Sequence, residues 1–287
     1  MSHFEMNSLC ERVGLTEAAS KANVDIYWNG PSNWDVQRQI DLIESSARAR
    51  SYGIAVNPVS PFAANTAIRE ALSNRIPVVI LVSPVRVAPS AHLYFVLEDT
   101  KTSAVLVSQR LNHLLNGQGE VALLGLDPLH PGSIERFQDV EAVLHRDSPG
   151  IHVDDQTAGP FGYGDLELGA EQILHEHPRV DAIVALNANS GEAAVAAIRA
   201  AHLQNRVHVI VYDQSLQLFL LLRHGEIDSI VAQDMHGIGA KAVSDIVADR
   251  TGKYASETTY LQPKLITQAN IDDESNQRFL TMRWQPQ

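Results

Sequence analysis

Cysteine is nearly missing from this chain. Cys10 is the only one in 287 residues, so no intrachain disulfide can form and no cysteine cage for zinc can be assembled. Basic residues are also scarce: 22 Lys and Arg face 34 Asp and Glu, for a formal net charge of −12. No Lys/Arg cluster interrupts the acidic balance. Nucleic acids and anionic bilayers select basic footprints, so no nucleic-acid partner is expected. Long apolar runs are absent too. Nothing approaches the roughly 20 residues that cross a bilayer, and no direct membrane insertion is expected. Met1 to Met6 has neither the basic start nor the apolar stretch of a signal peptide.

What is present is the make-up of an ordinary globular protein, 45% hydrophobic and 20% charged. The length favours two lobes over one core. Short β-branched runs alternate with helix-patterned ones, the signature of an α/β fold with parallel sheets. Ile54-Ala55-Val56-Asn57 and Val78-Val79-Ile80-Leu81-Val82-Ser83 read as buried strands around the helix Phe62 to Leu72. Such a unit places Asn57 and Ser83 at carboxyl strand ends, the edge where open α/β sheets bind ligands. Val24 to Trp28 reads as a strand, Trp34 to Arg48 as an amphipathic helix, Leu93 to Leu97 as a strand and Thr100 to Leu115 as a helix. Asn116-Gly117 should stop that helix.

A second block repeats the theme. Val121 to Leu126 is a strand, Pro131-Gly132-Ser133 opens a helix with Ser133 as N-cap, and a strand near Ile151 leads through the loop Gly159 to Gly164. Ala182 to Leu186 ends in Asn187, and Val207 to Tyr212 ends in Asp213. After a strand at Ile227 to Gln233 and a helix at Gly237 to Arg250, Tyr254 to Lys264 reads as irregular before a short strand at Leu265. These late segments are expected to cross between lobes and form a hinge.

In this order the segments resemble the type I periplasmic sugar-binding proteins, above all the ribose-binding branch. The likeness rests on Tyr52-Gly53-Ile54-Ala55-Val56-Asn57-Pro58 with Ile76-Pro77-Val78-Val79, on Ser133 to Arg136, on His177-Pro178, and on Val211-Tyr212-Asp213. Gly225-Glu226-Ile227-Asp228, Ile230 to Gln233 and Leu265 to Asp272 extend it over nearly the whole chain. The resemblance implies two lobes joined by three crossings, residues 1–99 plus 236–262 and residues 100–235 plus 263–287, with a ligand trapped between them. It implies ligand contacts at Asn57, at the aromatic Phe161, at Asn187 or Asn189, at Asp213 and at the hinge residue Gln233.

It also implies departures. The Asp-Arg pair that ends the strand Val78–Val82 in ribose binders is replaced by Val82 and Ser83, with Arg86 just beyond as a substitute candidate. The family's second-lobe helix arginine falls near Ile134, with Arg136 two residues on. Met6 to Ala22 matches the family's first helix and is followed at once by its second strand. A first strand is therefore expected to be missing, and the genuine start to lie upstream of Met1. On that reading the protein is periplasmic; if Met1 is the genuine start it is cytoplasmic.

Sugar hydroxyls need paired donors and acceptors, and sugar ring faces need aromatic surfaces. Trp28 and Trp34 bracket the loop Asn29 to Asn33 and read as packing at the lobe rim, with stacking on a sugar as the other reading. Nothing points as clearly to catalysis. The spacing in His175-Glu176-His177 puts the two imidazoles on different helical faces. Asp154-Asp155 and Asp272-Asp273 suit turns, and Gly159 to Gly164 lacks the strand–GxGxxG–helix context of a dinucleotide site. The reading is a solute-binding protein of an ABC-type importer, not an enzyme, with no cofactor and no metal. Its partners are a small polyhydroxylated, sugar-like ligand and a membrane permease. The alternative is the effector-binding domain of a lactose-repressor-type regulator, which shares the fold but carries a DNA-binding module upstream.

Overall fold

Each short apolar run that has a strand neighbour pairs into a sheet, and each amphipathic run covers a sheet face. The computed structural model describes residues 3–30, 35–60, 62–128, 131–158, 163–253 and 255–280. In chain order they form α1 (His3–Ala22), α2 (Val36–Arg48), β1 (Ile54–Val56), α3 (Asn65–Ser73), β2 (Val78–Val82) and β3 (Leu93–Glu98). There follow α4 (Thr100–Leu115), β4 (Gly119–Leu126), α5 (Pro131–Asp147), β5 (Ile151–Ala158), α6 (Tyr163–Glu176), β6 (Ala182–Ala185) and α7 (Ala188–Ala200). The last elements are β7 (His208–Tyr212), α8 (Leu216–Arg223), β8 (Ser229–Ala232), α9 (Met235–Arg250), β9 (Thr258–Leu261), β10 (Lys264–Thr267) and α10 (Glu274–Leu280).

The strands make two sheets, ordered β1-β2-β3-β9 and β10-β8-β7-β6-β4-β5. All pairings are parallel except β10 with β8. The chain leaves the first sheet after β3, returns through α9 to β9, and crosses again between β9 and β10. This is the doubly wound, two-lobed architecture with three crossings that the sequence implies.

Side chains alternate across each sheet, and the alternation sorts the core. In β2, Val78 and Ile80 pack with Ile43, Ile54 and Ile68, whereas Val79 and Leu81 face the side that carries Leu15, Ile238 and Ile246. In β4, Val121 and Leu123 pack with Val107, Leu111 and Leu144, and Ala122 and Leu124 with Ile173 and Ile183. The sole cysteine, Cys10, is a small buried hydrophobe in this core, and burial pushes its thiol up to about 11.

Helices α1 and α9 lie unusually close because glycine stands at the crossing on both. A Cβ on Gly14 would sit 2.0 Å from the His236 carbonyl oxygen, and one on Gly239 would sit 2.2 Å from that of Glu11. Both obstacles are backbone, so neither can give way cheaply. The crossing fixes Glu11, whose place matters below.

Three sequence expectations are corrected. Val24 to Trp28 is not a strand: it runs without helix or ladder, and β1 forms the edge of the first sheet beside it. A strand is a pairing, and this segment has no described neighbour to pair with. Tyr254 to Lys264 is not wholly irregular, since Thr258–Leu261 pairs with β3 as an edge strand in register Phe95↔Thr258. Ser133 is not the cap of α5. It lies inside the first turn, and its hydroxyl accepts from the Asp127 N–H at 2.7 Å.

Candidate functional site

Parallel strands bring their carboxyl ends to one edge of each sheet, and both edges open on a common cavity of about 920 Å³. Asn57 and Ser83 reach it from the first sheet, together with Glu98, the last residue of β3. Asp127, Asn187, Asn189 and Asp213 reach it from the second, together with Arg136 of α5. The cavity then continues between β1, the segment Val24–Gly30 and helices α1, α2 and α9. There it is lined by apolar residues such as Leu15, Ile26, Leu42 and Ile246. One end is therefore polar and spans both lobes, and the other is apolar and belongs to the first.

Arg136 organises the polar end. Its Nη2 donates to Glu98 Oε1 and Oε2 at 2.9 and 2.7 Å and to Asp213 Oδ1 at 2.8 Å. Its Nη1 donates to Asp213 Oδ2 and to the Leu186 carbonyl, both at 3.0 Å. The guanidinium also lies 5.3 Å from the centre of the Tyr212 ring. All three charged side chains are at least nine-tenths buried, so the ion pairs are little screened by water. Burial works against the charge on Arg136, but Asp213 and Glu98 outweigh it and hold the guanidinium above its ordinary range. Glu98 moves the other way from a simple ion-pair partner. Burial, together with the neighbouring Asp213, outweighs Arg136 and raises its carboxyl to about 7.

Asp213 takes this place through an unusual backbone. It follows β7 with φ of 68°, a left-handed conformation that Asp tolerates better than most residues. The residue ending β2 in the first lobe, Val82, has φ of 67°. Ser83 N–H donates to the Leu81 carbonyl at 2.7 Å around it, a tight three-residue turn.

The other expected site residues divide. Asn57 lines the cavity; its Nδ2 donates to Glu11 Oε2 at 3.3 Å, and its carbonyl accepts from Gln39. Glu11 is only 3% exposed, and burial raises its carboxyl to about 7, the Asn57 hydrogen bond opposing the shift. Asn187 caps α7 by a reciprocal exchange with Ser190 and points its Nδ2 at the Gly125 carbonyl, so a capping duty and a place on the cavity wall coexist. Ser83 and Asn189 are on the wall as well.

Arg86 is not. It is exposed, and its guanidinium stacks 5.2 Å from the Phe62 ring centre. Gln233 is also set back from the cavity. It is buried at the β8–α9 crossing, bonded through its backbone to the Gln214 side chain, with Nε2 3.4 Å from Ser103 Oγ. Phe161 and Trp34 lie outside the described residues. Of the features that suggested catalysis, His177 Nδ1 lies 2.7 Å from Asp154 Oδ2, and Asp272 pairs with Arg223. Among the described residues no three His, Cys, Asp or Glu side chains converge as a metal site, and no helix is long and apolar enough to cross a membrane.

Four residues of the site were missed or misplaced by sequence reasoning: Glu11, Glu98, Asp127 and Arg136. Glu98 had a signal, because it ends the apolar run Leu93–Leu97 as Asn57 ends its own. For Arg136 the resemblance pointed two residues early, and two residues on a helix turn a side chain by roughly 200°.

The fold meets its counterpart in known proteins. A family model described as a periplasmic binding protein domain matches residues 10–253. The chain belongs to the periplasmic binding protein family. A Rhizobium meliloti protein named for rhizopine binding is 26% identical over 248 residues, covering 83% of this chain and 78% of its own. Among solved structures, an ABC transporter solute-binding protein of Agrobacterium vitis bound with α-D-tagatopyranose superposes with a TM-score of 0.87 at 16% identity, over 98% of this chain and 96% of that one. A carbohydrate transporter solute-binding protein of Agrobacterium radiobacter in complex with D-arabinose gives 0.85 at 18% identity, over 96% and 95%.

Proposed function

We propose that this member of the family is the solute-binding component of an ABC-type importer, working outside the cytoplasm and passing its ligand to a membrane permease. The ligand is a small polyhydroxylated molecule of the sugar class, held between lobes made of residues 1–99 plus 236–262 and 100–235 plus 263–287. The observation that carries the reading is the buried Arg136 cluster, which joins Glu98 of the first sheet to Asp213 of the second on the wall of a shared cavity. Asp213 and Arg136 serve as the charged hydrogen-bonding pair for ligand hydroxyls, and Asn57, Ser83, Asn187 and Asn189 supply neutral donors and acceptors. Gln233 supports the crossing instead of touching ligand. The names of the relatives above belong to transport, which favours this reading over a regulator's effector domain.

Ligand acts by population shift: it contacts both lobes together only when they are closed, and so stabilises that state. A ligand held in this way raises the melting temperature and compacts the protein in small-angle scattering. Replacing Asp213 by Asn removes one charge-assisted contact and should weaken binding about 10- to 100-fold. A broad panel of neutral and charged polyols and sugars that moves neither melting nor scattering would sink the proposal.

A further inference from the structure

The protein itself supplies an acceptor for each N–H at the tip of Arg136. A guanidinium carries five N–H donors, two on each Nη and one on Nε. The Nη1 pair meets the Leu186 carbonyl and Asp213 Oδ2, both at 3.0 Å. The Nη2 pair meets Asp213 Oδ1 at 2.8 Å and the two Glu98 oxygens at 2.7 and 2.9 Å. Nε is buried, without a hydrogen-bond partner among the described residues, and lies out of a ligand's reach. A ligand hydroxyl that bonds this guanidinium must therefore displace one of three acceptors: Leu186, Asp213 or Glu98.

The three are not held equally. Asp213 grips the guanidinium with two parallel bonds, one oxygen to each Nη, the geometry that makes carboxylate–arginine pairs strong. Leu186 offers a backbone carbonyl just after β6, and its own N–H is tied to the Leu124 carbonyl at 2.9 Å. Glu98 instead crowds both oxygens onto one nitrogen. It also reaches over from the first sheet, whereas Leu186 and Asp213 follow strands of the second. Burial raises its carboxyl to about 7, so near neutrality its charged form is only narrowly favoured. Glu98 is the acceptor that yields most readily.

We propose that Glu98 is an internal competitor for Arg136: it occupies the Nη2 donors that a ligand hydroxyl uses, and ligand binds by displacing it. The inference rests on the solute-binding reading and adds to it a residue that sets affinity through Arg136. The contrary role for Glu98 is to hold Arg136 in position for ligand. The two roles predict changes of opposite sign. Removing a competitor strengthens binding, because the apparent dissociation constant is the intrinsic one divided by the fraction of protein whose site is available. Removing a positioning partner weakens it.

The test compares the full-length wild type with Glu98→Gln, which is near-isosteric and neutral, and with Glu98→Ala, which removes the acceptor. Calorimetry and stopped-flow fluorescence near pH 7.5 would use a panel of neutral aldoses, ketoses and cyclitols as probes. Kd for a probe that binds should fall about tenfold in Glu98→Gln, and at least as far in Glu98→Ala. The gain should lie in the association rate, since ligand no longer waits for a carboxylate to leave. A probe bound by the variants and not by wild type supports the inference in the same way. Equal or weaker binding by both variants overturns it and leaves the importer reading standing. Tighter binding that comes wholly from slower dissociation also overturns it, because the substitution would then have improved the bound state instead of freeing the site. Silence from every probe with all three proteins, in calorimetry and melting alike, overturns the inference together with the reading beneath it.

Discussion

The two lobes end a central strand at nearly the same positive φ and put different chemistry on it. After β7 the residue at φ of 68° is Asp213, and the last residue of β2, at 67°, is Val82. In the second lobe the turn aims a carboxylate at Arg136 and sits in a six-stranded sheet. In the first, the residue with the matching φ presents a branched hydrocarbon, in a sheet of four strands whose edge β1 borders the cavity. The second lobe's Asp213 is ion-paired with Arg136, whereas the first lobe's Glu11 is buried with only an amide for company. Ionic hydrogen bonds on the cavity wall are thus concentrated in the second lobe, with Glu98 as the first lobe's one strong link to them.

The comparison breaks most visibly at Arg136. Arg136→Met keeps the side-chain volume but leaves Glu98 and Asp213 buried without their cation. Removing one member of a buried ion-pair group costs about 3–5 kcal/mol, and urea denaturation near pH 7.5 should show a loss of that size. Asn57→Ala, the corresponding change beside Glu11, should cost less, about 1.5–3 kcal/mol, because it removes one hydrogen bond to a carboxylate and no ion pair. If the two losses are equal, the lobes do not differ in the way described.

The unequal legibility of the lobes has the same physical root. The run Val78–Val82 was readable as a strand because its burial on both faces imposes a continuous β-branched pattern. Val24 to Trp28 carries a similar pattern and forms no strand, because pairing depends on a neighbour that the pattern of one segment does not contain. Thr258–Leu261 failed in the opposite sense: as a half-exposed edge strand it pairs without needing an apolar sequence. Within the site, Asn57, Ser83 and Asp213 were legible from strand ends alone. Glu11 was not, since nothing in a helix sequence distinguishes a carboxyl that faces solvent from one turned inward by the glycine crossing of α1 and α9.

A pH series sharpens the contrast further. Burial raises both Glu11 and Glu98 from 4.5 to about 7. A carboxyl whose folded value lies above its unfolded one binds more protons in the folded state between the two. Stability therefore falls as pH rises through that window, from near 4.5 to near 7, and levels off above it. Asp99 and Glu226 are shifted downward, so their contributions change below this window. Ligand-free protein should accordingly be more stable at pH 5 than at pH 7.5, by about 2–3 kcal/mol for each carboxyl displaced this far. Glu11→Gln should remove about half of the slope and make the protein more stable at pH 7.5. Equal stability at the two pH values would show that water reaches both carboxyls.

The smallest effect probes the shared positive φ itself. For a β-branched residue the left-handed region costs about 1–2 kcal/mol, and glycine pays none of it. Val82 is half-buried and packs against the core, so Val82→Gly also forfeits about 1 kcal/mol of burial. The two terms nearly offset, and the variant should match wild type or exceed it by up to about 1 kcal/mol. Asp213→Gly relieves less strain, because Asp accepts this conformation more readily, and it strips Arg136 of a carboxylate. It should cost about 2 kcal/mol or more. Parallel urea titrations of the two glycine variants would separate the turn from the side chain it carries. If Val82→Gly were as damaging as Asp213→Gly, the first-lobe turn would owe its stability to valine packing, and the backbone likeness between the lobes would carry no strain.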